Sequence, residues 1–174
     1  MKDAHIEIWA VDEVHFQRTS TLTRTWSQKG IQPRVLSAST REKIGFFGAV
    51  SLKNGRLLTQ PATPFNAETF HDFIRHMLRH TKGKVLLILD NVRYHRARCL
   101  KDFFAKRQNR IQLEFLPPYS PELNPIERVW RITRRKVTHN RYFPTIKILE
   151  KALINQFTQW DHPNETLKSL CASI

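Results

Sequence analysis

Lys84-Val85-Leu86-Leu87-Ile88-Leu89-Asp90-Asn91-Val92-Arg93-Tyr94-His95 is the stretch on which the fold turns. Residues 85 to 89 are apolar without interruption, the pattern of a central strand covered on both faces. Asp90 follows at once. Ligands of open α/β sheets bind beyond the carboxyl ends of the strands, so an acid placed there is a functional candidate. The competing reading is that Asp90-Asn91 caps a helix starting near His95.

Outward from this strand, the pattern repeats. His5 to Asp12 alternates, turns apolar and also ends on acid, Asp12-Glu13. Ile44 to Leu52 and Arg56 to Gln60 read as two more strands joined at Asn54-Gly55, a hairpin signal. Asn66 is placed to cap a helix carrying Phe70, Phe73, Ile74, Met77 and Leu78 on one face and stopping at Gly83. A right-handed crossover through that helix sets Val85 to Leu89 beside the first strand, parallel to it. Asp12 and Asp90 then share one sheet edge.

Downstream, His95 to Lys106 reads as a helix with Leu100, Phe103 and Phe104 inward, and Ile111 to Leu116 as an edge-like fifth strand. The prolines of Leu116-Pro117-Pro118-Tyr119-Ser120-Pro121 demand an ordered turn. A helix starts at Asn124-Pro125-Ile126-Glu127, with Ile126, Val129, Trp130, Thr133 and Val137 inward and Glu127, Arg131 and Arg134 on the next stripe. Pro144 opens a further helix to about Trp160 bearing Ile148, Leu149, Ala152, Leu153, Gln156 and Phe157, and Thr166 to Ile174 is a short amphipathic tail. The expected fold is α/β: a five-stranded mixed sheet, three strands antiparallel and two parallel, flanked by helices. Residues 1–174 read as a single domain, with 144–174 its C-terminal helices. The 17–43 stretch is an inserted excursion around Trp26 and Gly30, too long for a hairpin loop.

Charge narrows the partner. The chain has 29 Lys and Arg against 15 Asp and Glu, a net charge of +14, and the segment 91–141 alone holds 13 basic residues against four acids. A polyanion, nucleic acid first, is the expected partner. Two cysteines, Cys99 and Cys171, make neither a disulfide framework nor a thiolate metal site. No apolar run is long enough to span a membrane, so a cytoplasmic location is expected. Acids after the first strand, after the fourth and behind the fifth form a hard-oxygen set suited to Mg²⁺ or Mn²⁺. Two such ions, about 3.5–4 Å apart, serve phosphodiester chemistry.

Asp12-Glu13, Asp90-Asn91 with His95, and Leu116-Pro-Pro-Tyr-Ser-Pro-Glu-Leu-Asn-Pro-Ile-Glu-Arg-Val-Trp130 resemble the motif blocks of DDE transposases of the mariner superfamily, in its bacterial insertion-sequence branch. The resemblance runs from the first strand to about Phe143, and the proline block is its most specific part. It implies a retroviral-integrase, RNase H-like catalytic domain in which Asp12, Asp90 and Glu127 are the catalytic, metal-binding triad with two ions when DNA is bound. It implies cleavage at transposon ends, transfer of the freed 3′-hydroxyl to target DNA, typically at TA, and a nucleoid-associated bacterial protein. Glu122 stands where the family often has Asp, a mild departure.

Arg93, Arg96, Arg128, Arg131, Arg134, Arg135 and Lys136 are the expected DNA-phosphate contacts, the alternative for the helix residues being a solvated face. Glu127, three residues after Asn124, also fits a capping box. Glu13, Asn91, His95 and Glu122 are secondary candidates: Glu13 also reads as a surface acid, His95 as a structural residue, and Trp130 as core. The excursion falls where mariner-type enzymes carry a dimer-forming clamp, or it is an irregular surface loop, so a homodimer is the expected active form. The family's helix-turn-helix modules do not precede the first strand in this sequence, so the chain reads as a catalytic domain alone: a fragment, a decayed copy, or the second frame of a split gene whose separately encoded or frame-fused other half binds the ends. The alternatives in function are an RNase H-like nuclease without strand transfer and an inactive DNA-binding remnant.

Overall fold

The computed structural model describes residues 6–172. The elements are β1 (Ile6–Gln17), β2 (Lys43–Ser51), β3 (Leu57–Pro61), α1 (Ala67–His80), β4 (Lys84–Leu89), α2 (Arg98–Ala105), β5 (Ile111–Phe115), α3 (Ile126–Thr133), α4 (Ile146–Thr158) and α5 (Glu165–Ala172). They build one five-stranded sheet in the order β3-β2-β1-β4-β5. β1–β2 and β2–β3 pair antiparallel, β1–β4 and β4–β5 parallel. This is the mixed sheet the strand pattern predicts.

Local chemistry explains the joints. Gly55 adopts φ 70°, where a residue without Cβ is at no disadvantage, and its N–H closes the β2–β3 turn on the Ser51 carbonyl at 2.8 Å. At α1 the Asn66 carboxamide oxygen accepts from the Thr69 N–H at 2.9 Å while the Thr69 hydroxyl receives the Asn66 N–H at 3.1 Å, a reciprocal cap worth about 1 kcal/mol. The helix lays Phe70, Phe73, Ile74 and Met77 on Trp9, Val11, Phe47, Val85, Leu87 and Leu89. On the opposite face Ala10, Val14, Phe16, Phe46 and Val50 pack against Ile126, Val129 and Trp130 of α3, with Leu149, Leu153 and Phe157 of α4 and Leu167 of α5 behind them. The central strand β1 is therefore sandwiched, and whatever projects from it is held on both sides.

Several expectations are corrected. β1 does not end at Asp12: it runs on to Gln17, because Val14 and Phe16 continue the inward alternation begun at Ala10 and pair with Phe46 and Ile44 of β2. Its expected first residue, His5, lies outside the described residues. β4 is not fully covered on both faces. Val85, Leu87 and Leu89 are buried, but Leu86 and Ile88 are only half-buried, and Ile6 and Ile8 beside them on β1 are exposed. The helix expected over His95 to Lys106 is two pieces, a 3-10 turn Arg93–Arg96 and then α2, broken at Ala97 with ψ 143°. Val92, not Asp90 or Asn91, holds the cap position of that turn. Ile148 faces outward on α4, its place in the core taken in part by Ile146. The expected tail is α5, with residues 173 and 174 outside the described residues.

Gln17 and Lys43 of the expected excursion end β1 and begin β2, and residues 18–42 between them contain no helix or named strand. Its base is closed by the Arg18–Glu42 ion pair and by the Arg18 N–H on the Glu42 carbonyl at 2.9 Å. Its near arm is pinned to the segment after α3: Thr23 N–H donates to the Asn140 side chain at 2.9 Å, and Thr21 bridges His139. Beyond these ties, Leu22, Trp26, Ile31 and Leu36 project with large exposed apolar surface.

Candidate active site

The register of the sheet brings the acids together. Ala10 of β1 pairs with Ile88 of β4, so two positions further along each strand Asp12 and Asp90 arrive level with one another. Glu127, in the first turn of α3, comes in from behind the proline block. All three line one cleft of about 410 Å³, whose remaining wall is Asn91, Val92, Leu116, Asn124 and the loop Pro117–Pro121. Tyr119 stands fully exposed on its rim with φ 58°, a left-handed conformation that is uncommon for a non-glycine residue and recurs at functional sites.

Two side chains of α3 and its lead-in attach this wall to β1. Asn124, buried, donates its amide to the Val11 carbonyl at 3.0 Å. Trp130, also buried, donates its indole Nε1–H to Asp12 Oδ2 at 3.0 Å. The capping-box reading of Glu127 is not what the backbone does, since the Asn124 N–H goes to the Pro121 carbonyl at 3.0 Å. Trp130, expected only in the core, is thus a positioning partner of the first acid. Nothing in the sequence but the pairing of an indole with a nearby buried acid could have signalled this, and that pairing is visible only once α3 is docked.

Electrostatically the cleft asks for a cation. The Asp12 carboxyl is pushed up to about 8, by burial first and then by the charges of Glu13 and Glu127, with Asp90 adding to them and the Trp130 hydrogen bond opposing. A pocket that makes its own carboxylate so reluctant to ionise, and that gathers the carboxylates of Asp12, Asp90 and Glu127 in one cleft, fits a divalent metal ion, whose charge would restore the ionised forms.

The secondary candidates separate. Glu13 is not a surface acid: the strand pleat turns it away from Asp12 to the α1 side, where it is half-buried and raised above the usual carboxylate range by burial, against the pull of the Tyr94 hydroxyl and the His95 ring. His95 is buried. Asn91 is exposed on the cleft wall. Glu122, exposed in the turn Pro121–Leu123, is not among the lining residues. Of the basic candidates, Arg93, Arg96, Arg131, Arg135 and Lys136 are exposed and Arg134 is half-buried. Arg96 lies over the Phe115 ring at 4.4 Å and Arg134 over Phe16 at 5.7 Å. Arg128 is occupied elsewhere, donating to the Leu170 carbonyl of α5 at 3.0 Å.

The fold and the cleft define the class first: an RNase H-like catalytic domain with acids gathered at the edge of its sheet. Residues 7–150 match the family of DDE superfamily endonucleases, and the chain belongs to that family, whose chemistry depends on divalent metal. It is 24% identical over 131 residues to an uncharacterized 39 kDa protein of insertion element IS630 from Shigella sonnei, covering 74% of this chain and 38% of that protein. It is 34% identical over 86 residues to the Tc3 transposable-element transposase of Caenorhabditis elegans, covering 49% of this chain and 25% of that one. Among solved structures, the Mos1 strand transfer complex shares the fold with a TM-score of 0.67 at 18% identity, over 94% of this chain and 50% of that chain. The chain thus has the fold of a DDE transposase catalytic domain of the mariner and IS630 type and spans half or less of the length of these three relatives.

Proposed function

We propose that this chain cleaves DNA at transposon ends and transfers the freed 3′-hydroxyl to target DNA, with Asp12, Asp90 and Glu127 as its catalytic triad. The observation that carries the reading is the convergence of these acids, from β1, from the end of β4 and from the start of α3, on one cleft in a chain of net charge +14. Asp12, Asp90 and Glu127 would hold two divalent ions, Mg²⁺ or Mn²⁺, which when bound supply Lewis acidity to the attacking and leaving oxygens of a phosphodiester. The protein's own part is positional. Trp130 fixes the rotamer of Asp12, Asn124 fixes the approach of Glu127, and the proline loop walls the cleft.

The same 3′-end chemistry distinguishes this reading from simple nuclease action. With Mg²⁺, a pre-cleaved DNA end carrying a 3′-hydroxyl is expected to join a supercoiled plasmid. Nicking without any joined product would sink the strand-transfer half of the proposal. The excursion, held at its base and apolar at its tip, supports a clamp between two copies, so sedimentation of the chain with end DNA should report two protomers per complex. A helix-turn-helix module would supply recognition of the ends.

Arg93, which follows the cleft residue Val92, and Arg131, Arg134, Arg135 and Lys136, which follow Glu127, would supply the phosphate-binding surface. Binding of this chain alone to DNA is expected to be largely independent of sequence and to weaken steeply with salt. Replacing Arg131 and Arg135 by Gln should weaken it evenly across sequences. It should also make the slope of log K against log salt shallower by about 0.9 per lost contact. A slope unchanged in fluorescence-anisotropy titrations would remove α3 from the interface.

A further inference from the structure

Behind the cleft, on the α1 side of the sheet, lies a second set of polar groups that the triad does not use. His95 is 2% exposed and walled by aromatic rings, Phe70 at 4.3 Å and Tyr94 at 4.5 Å between centroids. Its Nδ1 lies 3.1 Å from the Asp90 carbonyl oxygen and 3.3 Å from Asp90 Oδ1. Its Nε2 is buried and makes no hydrogen bond among the described residues, and the same holds for Glu13 Oε2. One ring nitrogen of His95, one oxygen of Glu13 and one of Asp90 lie within 4.8 Å of one another.

Asp90 is accordingly two-sided. Its side chain is 42% exposed, yet Oδ1 is buried against the imidazole, so its exposure lies on the cleft side. A carboxylate on a short connection has two free torsions and no strand pairing to fix them. The His95 Nδ1–H donates to the Asp90 carbonyl at 3.1 Å, and the ring stands 3.3 Å from Oδ1, which makes no hydrogen bond among the described residues, so the imidazole fixes the backbone at Asp90 and walls one side of its carboxylate. Such a donor is only as fixed as its ring, and an oxygen of Glu13, on the central strand, lies within 4.8 Å of a ring nitrogen.

We propose that His95 and Glu13 are positioning residues for the metal site: His95, anchored by its Nδ1–H on the Asp90 carbonyl, walls off Asp90 Oδ1 so that the other carboxylate oxygen faces Asp12 and Glu127, and Glu13 backs the His95 ring. The proposal rests on the reading of Asp90 as a metal ligand. Outer groups that orient a ligating side chain in this way typically carry 10- to 100-fold in metal affinity or activity.

The test is Mn²⁺ binding to the full chain, followed by the electron paramagnetic resonance of free Mn²⁺, with DNA affinity as the control. His95→Ala is expected to weaken Mn²⁺ binding by about 10- to 100-fold with DNA affinity unchanged. His95→Asn, whose amide nitrogen falls near the place of Nδ1, is expected to recover most of that loss, which a purely space-filling histidine would not allow. Glu13→Gln is expected to weaken binding less than His95→Ala. The double variant Glu13→Gln/His95→Ala should be no worse than His95→Ala alone, because Glu13 acts through the ring. Asp90→Asn separates the two layers. If it binds Mn²⁺ like the wild type, the reading of Asp90 as a ligand fails. If it loses Mn²⁺ while His95→Ala does not, or if the losses from Glu13 and His95 add, the positioning role fails. Should His95→Ala not fold, the near-isosteric pair His95→Asn and Glu13→Gln decides: Mn²⁺ affinity with Asn far below wild type, or no effect of Gln, overturns the proposal.

Discussion

Asp12→Asn is expected to abolish metal-dependent DNA cleavage, by on the order of 10³-fold or more, while making the metal-free protein more heat-stable at alkaline pH. The two effects have one cause. Folding presses the Asp12 carboxyl from its ordinary 3.8 up to about 8, chiefly by burial and then by the neighbouring Glu13 and Glu127. An acid whose folded value is raised lends stability that is complete below about pH 4 and is lost as pH climbs through about 8. At pH 8.5 the wild-type fold must bury a charge that asparagine never carries, and asparagine still offers an oxygen to the Trp130 indole. Each pH unit of displacement corresponds to about 1.4 kcal/mol, and 1 kcal/mol moves the melting point of a domain this size by roughly 2–4 °C. Allowing for relaxation of the cleft, a rise of about 5–10 °C is expected in chelator at pH 8.5, shrinking towards nothing near pH 4. Scanning calorimetry at three pH values checks it. Added Mg²⁺ should raise the wild type towards the variant and leave the variant itself unmoved. A variant less stable than wild type at pH 8.5 in chelator would show that Asp12 is not under this electrostatic load.

The second large effect comes from a residue without a side chain. Gly48 pairs with Asp12 across β1 and β2, and the Trp130 ring covers it so closely that a Cβ there would meet Cη2 at 2.2 Å and Cζ2 at 2.7 Å. The indole cannot retreat freely, because Ile126 and Phe157 pack around it. Gly48→Ala must therefore push the ring out of line and break its 3.0 Å bond to Asp12. Overpacking of this kind costs about 1–3 kcal/mol, and losing the hydrogen bond adds about 1 kcal/mol. We expect a melting point lower by about 5–10 °C and nicking reduced by about 10- to 100-fold. Trp130→Phe removes the N–H together with part of the bicyclic ring, without forcing an added Cβ against it, so it should reproduce the loss of nicking with a loss of stability that comes from the unfilled space instead of from overpacking. Full nicking activity in Trp130→Phe would separate the indole from the chemistry.

The parts of this architecture that were readable in the chain are those where local pattern and tertiary role agree. The run Val85–Leu89 with its terminal acid, the Asn66 cap and the Asn54-Gly55 turn each state their role within a few residues. The three acids were legible because the proline block has few other uses. What the chain hid are the places where one residue serves two partners. Glu13 looks like a companion of Asp12 at a strand end, yet the strand continues and the pleat sends it to the opposite face, into the core. Val14 and Phe16, in phase with Ala10, carried the signal for that continuation. Trp130 falls on the apolar stripe of α3, and periodicity assigns a ring to the core without saying where its N–H points. The break at Ala97 carries no glycine or proline, and it arises because Tyr94 and His95 turn inward to meet Phe70 and Glu13.

Asn124 and Trp130 both hang from β1, one from the carbonyl before Asp12 and one from Asp12 itself, on either side of Glu127 along the chain. That double suspension makes Asp12 and Glu127 one body, a fixed jaw. Asp90 closes the cleft from a short connection outside it, gripped by a single imidazole. The distance across the cleft is therefore set by where the end of β4 holds Asp90 against that jaw.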